Sequence, residues 1–198
     1  MKDWKAWHDE YADPASGQSR RLYAVQALLR DALWGRPPGA IHLTSACAGD
    51  GRDVLGVLAD HPRAADVRAV LVENDPELVI AAGSLGLQAD AGQLATYEGL
   101  PRADVLMLCG IFGNISDEDL QTTVAEASRI CAPDAIVLWT RGRRAPDLTP
   151  AIRQWWTDAG WEELGFVSGG VGAWSVGYAR LTREPLPYKD SRLFTFVT

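Results

Sequence analysis

The stretch Ser45-Ala46-Cys47-Ala48-Gly49-Asp50-Gly51-Arg52-Asp53 decides the fold. It joins a strand-like run, residues 40–47, to a helical pattern over residues 50–60. Gly49 and Gly51 permit a tight turn and let a ligand approach the backbone at a helix N-terminus. Two glycines alone also fit a plain turn, so the reading depends on what surrounds them.

Downstream, short apolar runs alternate with amphipathic segments. Strands are expected at 67–73, 87–90, 105–109 and 135–141, and helices at 76–85, 117–130 and 149–159. Such alternation indicates parallel βαβ units. Leu120, Val124, Ala127 and Ile130 mark one helix face, and Ile152, Trp155, Trp156 and Ala159 another. The runs 161–167 and 174–181 are separated by Ser168-Gly169-Gly170-Val171-Gly172, too short for the dozen or so residues of a parallel crossover, so they form an antiparallel hairpin. A Pro-containing loop, 183–192, leads to a last expected strand at 193–197.

Upstream, Trp4, Trp7, His8 and Tyr11 share one face of a helix that stops before Asp13-Pro14. A second helix, 19–34, carries Leu22, Val25, Leu29, Ala32 and Leu33 and ends at Gly35-Arg36-Pro37-Pro38-Gly39. The expected architecture is α/β: a doubly wound, mostly parallel seven-stranded sheet with a C-terminal antiparallel hairpin and an N-terminal helical cap. Residues 1–198 form one domain, with the cap at 1–38 and the sheet core at 39–198.

Composition narrows the function. The net charge of −7 disfavours nucleic acid as a partner and favours a small molecule. Nothing approaches the roughly 18 apolar residues that span a bilayer, so no membrane anchor is expected. The charged opening Met1-Lys2-Asp3-Trp4-Lys5 does not read as a secretory signal, which points to the cytoplasm. Cys47, Cys109 and Cys131 match neither a disulfide framework nor a metal-ligand spacing and read as buried free thiols.

In open parallel sheets, ligands bind outside the carboxyl ends of the strands, so each turn after a strand is a candidate site. Glu73 ends its strand 22 residues after Gly51, where a carboxylate accepts both hydroxyls of a ribose. Asn74-Asp75-Pro76 follows, with Asp75 as N-cap and Pro76 at the first helical position. Asp90, in Leu87-Gln88-Ala89-Asp90-Ala91, ends the third strand. Leu108-Cys109-Gly110-Ile111-Phe112-Gly113-Asn114 follows the fourth, and Ser116 with Asp119 forms a capping pair for the next helix.

In this order the turns resemble those of class I S-adenosylmethionine (SAM)-dependent methyltransferases, from about Tyr11 to Leu181 and most strongly from Ile41 to Arg141. The resemblance implies that Ser45, Cys47, Ala48, Gly49, Asp50, Gly51, Arg52 and Asp53 form the glycine-rich cofactor loop. It makes Glu73, beside Asn74, the ribose acid, and Asp90, beside Ala91, the adenine-side acid. Cys109 and Gly110 become the loop beneath the sulfonium, and Tyr11 a residue that closes over the cofactor. The chain departs from the family pattern at Ser45, where an acid usually ends the first strand, and at Cys47, where the first loop glycine is usual. Asp50, Arg52 or Asp53 is expected to compensate. The fourth loop lacks the Asn-Pro-Pro-Tyr type motif of many amino-methylating nucleic-acid enzymes.

The implied reaction moves a methyl group from SAM to a small-molecule acceptor and leaves S-adenosylhomocysteine. A sulfonium methyl is already activated, so in-line positioning, which supplies about 7–11 kcal/mol, suffices without a metal or a covalent nucleophile. His8, with an ordinary pKa of about 6.5, is the candidate general base, with Tyr11 beside it. Trp7, Phe112 and Asn114 are expected around the acceptor. Arg141, Arg143 and Arg144 either clamp an anionic acceptor or form a solvated basic loop. The helix at 4–11 is either a lid over the cofactor or a core element. Competing readings are a nicotinamide-dependent oxidoreductase, which the missing third glycine of its phosphate turn disfavours, and a non-catalytic SAM-binding module.

Overall fold

The structure, a computed structural model, describes residues 10–170 and 172–197. Its elements, in chain order, are α1 (Gly17–Trp34), β1 (Ile41–Ala46), α2 (Arg52–Leu58), β2 (Val67–Glu73), α3 (Pro76–Ala81), β3 (Gly86–Gln88), β4 (Ala103–Leu108), α4 (Asp117–Glu126), β5 (Cys131–Gly142), α5 (Thr149–Asp158), β6 (Trp161–Ser168) and β7 (Trp174–Leu181).

Local chemistry sets the helix starts. The Ser16 hydroxyl accepts from the Ser19 N–H at 3.0 Å to open α1. Asp75 accepts from the Glu77 N–H at 2.8 Å with Pro76 in the first turn of α3, and Ser116 accepts from the Asp119 N–H at 3.0 Å at α4. Each such cap stabilises its helix by about 1 kcal/mol. Asp119 does not return the bond to Ser116; its carboxylate accepts from the Thr195 N–H at 2.8 Å instead. The pair is therefore half a capping box, and its acid anchors a distant segment.

The sheet has seven strands in the order β3-β2-β1-β4-β5-β7-β6. β1 to β5 pair in parallel, while β7 runs antiparallel between β5 and β6. Strand order reverses between β1 and β4, which opens a crevice at their carboxyl ends. Alternate strand residues feed two cores. Leu43, Leu71, Val105 and Met107 pack with Val25, Leu29 and Leu33 of α1 and Val54 and Val57 of α2. Leu106, Leu108, Val137 and Trp139 pack on the other face with Leu120 and Val124 of α4 and Ile152 and Trp156 of α5. Each fully buried side chain of this size contributes about 1.5–3 kcal/mol.

Element ends depart from the sequence pattern for identifiable reasons. α2 starts at Arg52, not residue 50, because Gly51 is left-handed at φ 76°. The patterns at 76–85 and 117–130 each finish as 3₁₀ turns, Gly83–Leu85 and Ala127–Ile130. β5 begins at Cys131 because that residue pairs with Ala103 ahead of a register shift in β4. Residues 193–197 form no strand of the sheet; the bridges Gln93↔Arg192 and Ile115↔Phe196 tie this segment to two loops. Of the helix expected at 4–11, residues 4–9 lie outside the described residues, and Glu10–Ala12 forms a 3₁₀ turn. Among the described residues no helix is long and apolar enough to cross a membrane.

Gly177 of β7 sits opposite Trp139 of β5, and a Cβ at Gly177 would collide with the indole ring. Gly177→Ala should therefore lower unfolding free energy by about 1–3 kcal/mol. Gly165→Ala on β6, where a Cβ meets nothing within 4 Å, should change it by less than about 1 kcal/mol. Paired urea titrations check the contrast.

Candidate functional site

A cavity of about 910 Å³ opens at the carboxyl ends of β1, β2 and β4, within the range of about 300–1,000 Å³ usual for ligand pockets. Its floor is the turn after β1. Cys47, Gly49 and Gly51 have φ of 52°, 60° and 76°. All three lie in the left-handed region, where a side chain costs about 1–2 kcal/mol. Cys47 thus adopts a glycine conformation at the position where the sequence departs from the glycine pattern. Burial pushes its thiol, and that of Cys109 across the cavity, well above the ordinary range, so both stay protonated at neutral pH.

Glu73 closes the turn from the side. Its carboxylate accepts from the Gly49 N–H at 2.9 Å, the Asn74 N–H at 2.8 Å and the Asp75 N–H at 3.0 Å. A carboxylate offers about four acceptor positions, so about one remains for an incoming hydroxyl. That is half the capacity expected from the sequence.

A charged cluster forms another part of the wall. Arg52 grips both carboxylate oxygens of Asp50, with Nε at 2.9 Å from each. Its guanidinium lies 4.2 Å from the centre of the Tyr11 ring. Arg21 donates to the Tyr11 hydroxyl at 2.6 Å. Burial raises the Tyr11 phenol, opposed by the Arg21 charge, and burial also raises the half-buried Asp53 carboxyl.

The cavity brings together Tyr11, Cys47, Ala48, Gly49, Asp50, Arg52, Asp53, Glu73, Asn74, Asp90, Ala91, Cys109, Gly110 and Asn114. Gly51, buried beneath the turn, stands behind this lining. Asn114 donates to the Gly110 carbonyl at 2.6 Å and so holds the loop after β4. A Cβ at Gly110 would meet nothing within 4 Å, which leaves the cavity open there.

Five expected residues lie elsewhere. Ser45 is buried inside the sheet, paired with Leu71 and Met107. Phe112 is fully buried between Trp139 and Trp156 because the chain turns inward after Gly110. Arg141 donates to the Phe112 carbonyl. Arg143 binds Asp147 at 3.0 Å and Ser168 at 3.3 Å, and Arg144 is exposed outside the cavity. Of the two readings of these arginines, the placement agrees with the loop: Arg141 and Arg143 brace it from within. Trp7 and His8 lie outside the described residues.

Sequence reasoning missed Arg21, Arg192 and residues 194–197, which also line the cavity. Arg21 carries only the signal of ordinary helix charge, and its role comes from the approach of Tyr11. The later stretch has no periodicity to read.

The raised Asp53 carboxyl has a signed consequence. Its ionised form is disfavoured in the folded state, so its contribution to stability falls as pH rises above the unfolded value of about 3.9. Asp53→Asn should therefore melt at a higher temperature than the parent at pH 7. That advantage should shrink as pH falls toward 4, and scanning calorimetry across this range checks it.

No family model and no curated protein matches the chain. Solved structures do. Magnesium protoporphyrin IX methyltransferase from Synechocystis PCC 6803, with bound SAM, aligns with a TM-score of 0.65 at 14% identity over 92% of this chain and 92% of that one. The Burkholderia thailandensis 1,6-didemethyltoxoflavin-N1-methyltransferase, with its substrate and S-adenosylhomocysteine, gives 0.64 at 18% over 90% and 81%. The N-methyltransferase NodS from Bradyrhizobium japonicum, with S-adenosylhomocysteine, gives 0.63 at 13% over 90% and 98%. What these distant chains share with this one is architecture, and by that measure the protein has the class I SAM-dependent methyltransferase fold.

Proposed function

We propose that the protein is a SAM-dependent methyltransferase, contained in one domain, that acts on a small-molecule acceptor. The observation that carries this reading is the single cavity in which the turn after β1, Glu73, Asp90 and Gly110 converge at the point where strand order reverses. The chemistry of the lining fits the cofactor. Arg21, Arg52, Asp50 and Asp53 suit the charged amino-acid end, Glu73 retains acceptor capacity for a ribose hydroxyl, and Gly110 leaves room beside the turn. When bound, the cofactor supplies a methyl group on a positively charged sulfur.

The chain's own work is binding and orientation. Glu73 holds the turn and one ribose hydroxyl. Tyr11, fixed by Arg21 and Arg52, covers the charged end. The protonated thiols of Cys47 and Cys109 do not compete as nucleophiles for the methyl group. Asn114 steadies the loop after β4. His8, three residues before the cavity-lining Tyr11, takes the proton when the acceptor must lose one. A net charge of −7 favours small acceptors over nucleic acid.

S-adenosylhomocysteine at a hundredfold its Kd should raise stability by about 2.7 kcal/mol, visible as a higher melting temperature. Glu73→Ala should weaken binding by about 1.5–3 kcal/mol through loss of a charged acceptor. It should also lower the ligand-free melting temperature, because three backbone N–H groups lose their partner. Titration calorimetry that finds NADH binding and no S-adenosylhomocysteine binding would overturn the assignment.

A further inference from the structure

Residues 191–197 cross the mouth of the cavity as a strap stitched to both of its banks. Leu94 N–H donates to the Ser191 carbonyl at 2.9 Å, and Leu193 N–H donates to the Gly92 carbonyl at 2.7 Å. At the far bank Val197 N–H donates to the Asn114 carbonyl at 2.9 Å, beside the Asp119 anchor of Thr195. Two buried side chains, Leu193 and Phe194, pin the middle, and the Thr123 hydroxyl donates to the Leu193 carbonyl at 3.0 Å. Gly92 makes the close approach possible, since a Cβ there would collide with the Phe194 carbonyl.

The strap gives this part of the cavity a chemistry unlike that around Tyr11. Arg192 pairs with Asp90 at 2.8 Å, and the Gly92 N–H donates to the same carboxylate at 2.9 Å. Asp90 is thereby fixed with acceptor capacity left over. From Asp90 toward the far bank the cavity lining continues through Ala91, Phe194, Phe196 and Val197, an apolar wall. The Phe196 ring is 40% exposed and meets Phe194 edge-on at a centroid distance of 5.6 Å. A flat, uncharged, aromatic ring bearing an amino donor matches this wall, because every nucleobase presents a π-face on which an aromatic side chain stacks.

From this arrangement we infer that the strap is part of the cofactor site. Phe196 is the ring that stacks on the adenine, and Arg192 is a positioning residue that aims Asp90 at the adenine amino group. The inference rests on the SAM reading above.

The test measures calorimetric affinity of the full chain for S-adenosylhomocysteine and for 5′-methylthioadenosine, which keeps the adenosyl half and lacks the amino-acid end. Phe196→Ala should weaken both ligands by the same factor, at least tenfold, while Phe196→Tyr, which keeps the ring, stays within threefold of the parent. Gly92→Ala, which displaces the strap without replacing any lining side chain, should weaken both ligands as well. Melting curves confirm that each variant is folded. If Phe196→Ala binds both ligands as the parent does, the strap is a structural brace and the inference fails while the SAM reading stands. If the parent binds neither ligand, the SAM reading itself fails and takes this inference with it.

Discussion

The site depends on one carboxylate. Glu73 gathers N–H groups from the turn after β1 and from the turn after β2, and so locks together two loops that neighbouring parallel strands deliver side by side. Parallel strands make this possible because their carboxyl ends emerge on one edge of the sheet. Without a charged acceptor there, three donors would point at one another across a partly buried gap, each at a cost of about 1–3 kcal/mol. The left-handed run through Cys47, Gly49 and Gly51 is held against this anchor.

Two ion pairs organise the charged parts of the remaining wall. Asp50 with Arg52 fixes the charged portion of the cavity, and Asp90 with Arg192 fixes the portion under the strap. Isolated exposed pairs are worth little in stability. Their value here is geometric: each holds a side chain in one orientation at the rim of a cavity, as preorganised binding requires.

Much of the sheet was legible because its strands are short, apolar and separated by helical patterns, and because the loop between β6 and β7 is too short for any crossover. Glu73 was legible from its distance to Gly51, and Asp75 from Pro76. The structure changes what those residues do: Glu73 spends most of its acceptor capacity on backbone. Phe112 and the three arginines show the limit of reading by position. A residue after a strand can face the crevice or the core, and that choice is made by one φ angle at Gly110 and by partners such as Asp147, which lie several residues away. The strap escaped notice for a related reason. It pairs with loops through isolated bridges and leaves neither a period of 2 nor a period of 3.6.

The place of the strap in the chain sets an order of events during synthesis. Its partners, Gly92 to Leu94 and Asn114 to Asp119, leave the ribosome long before residues 191–197 do, at about 5–20 residues per second. The nascent chain can pair all seven strands while this side of the cavity still lacks its rim and one core still lacks Leu193 and Phe194. The binding surface is therefore completed only after every strand of the sheet has been made, when the strap docks onto loops that the sheet already holds in place.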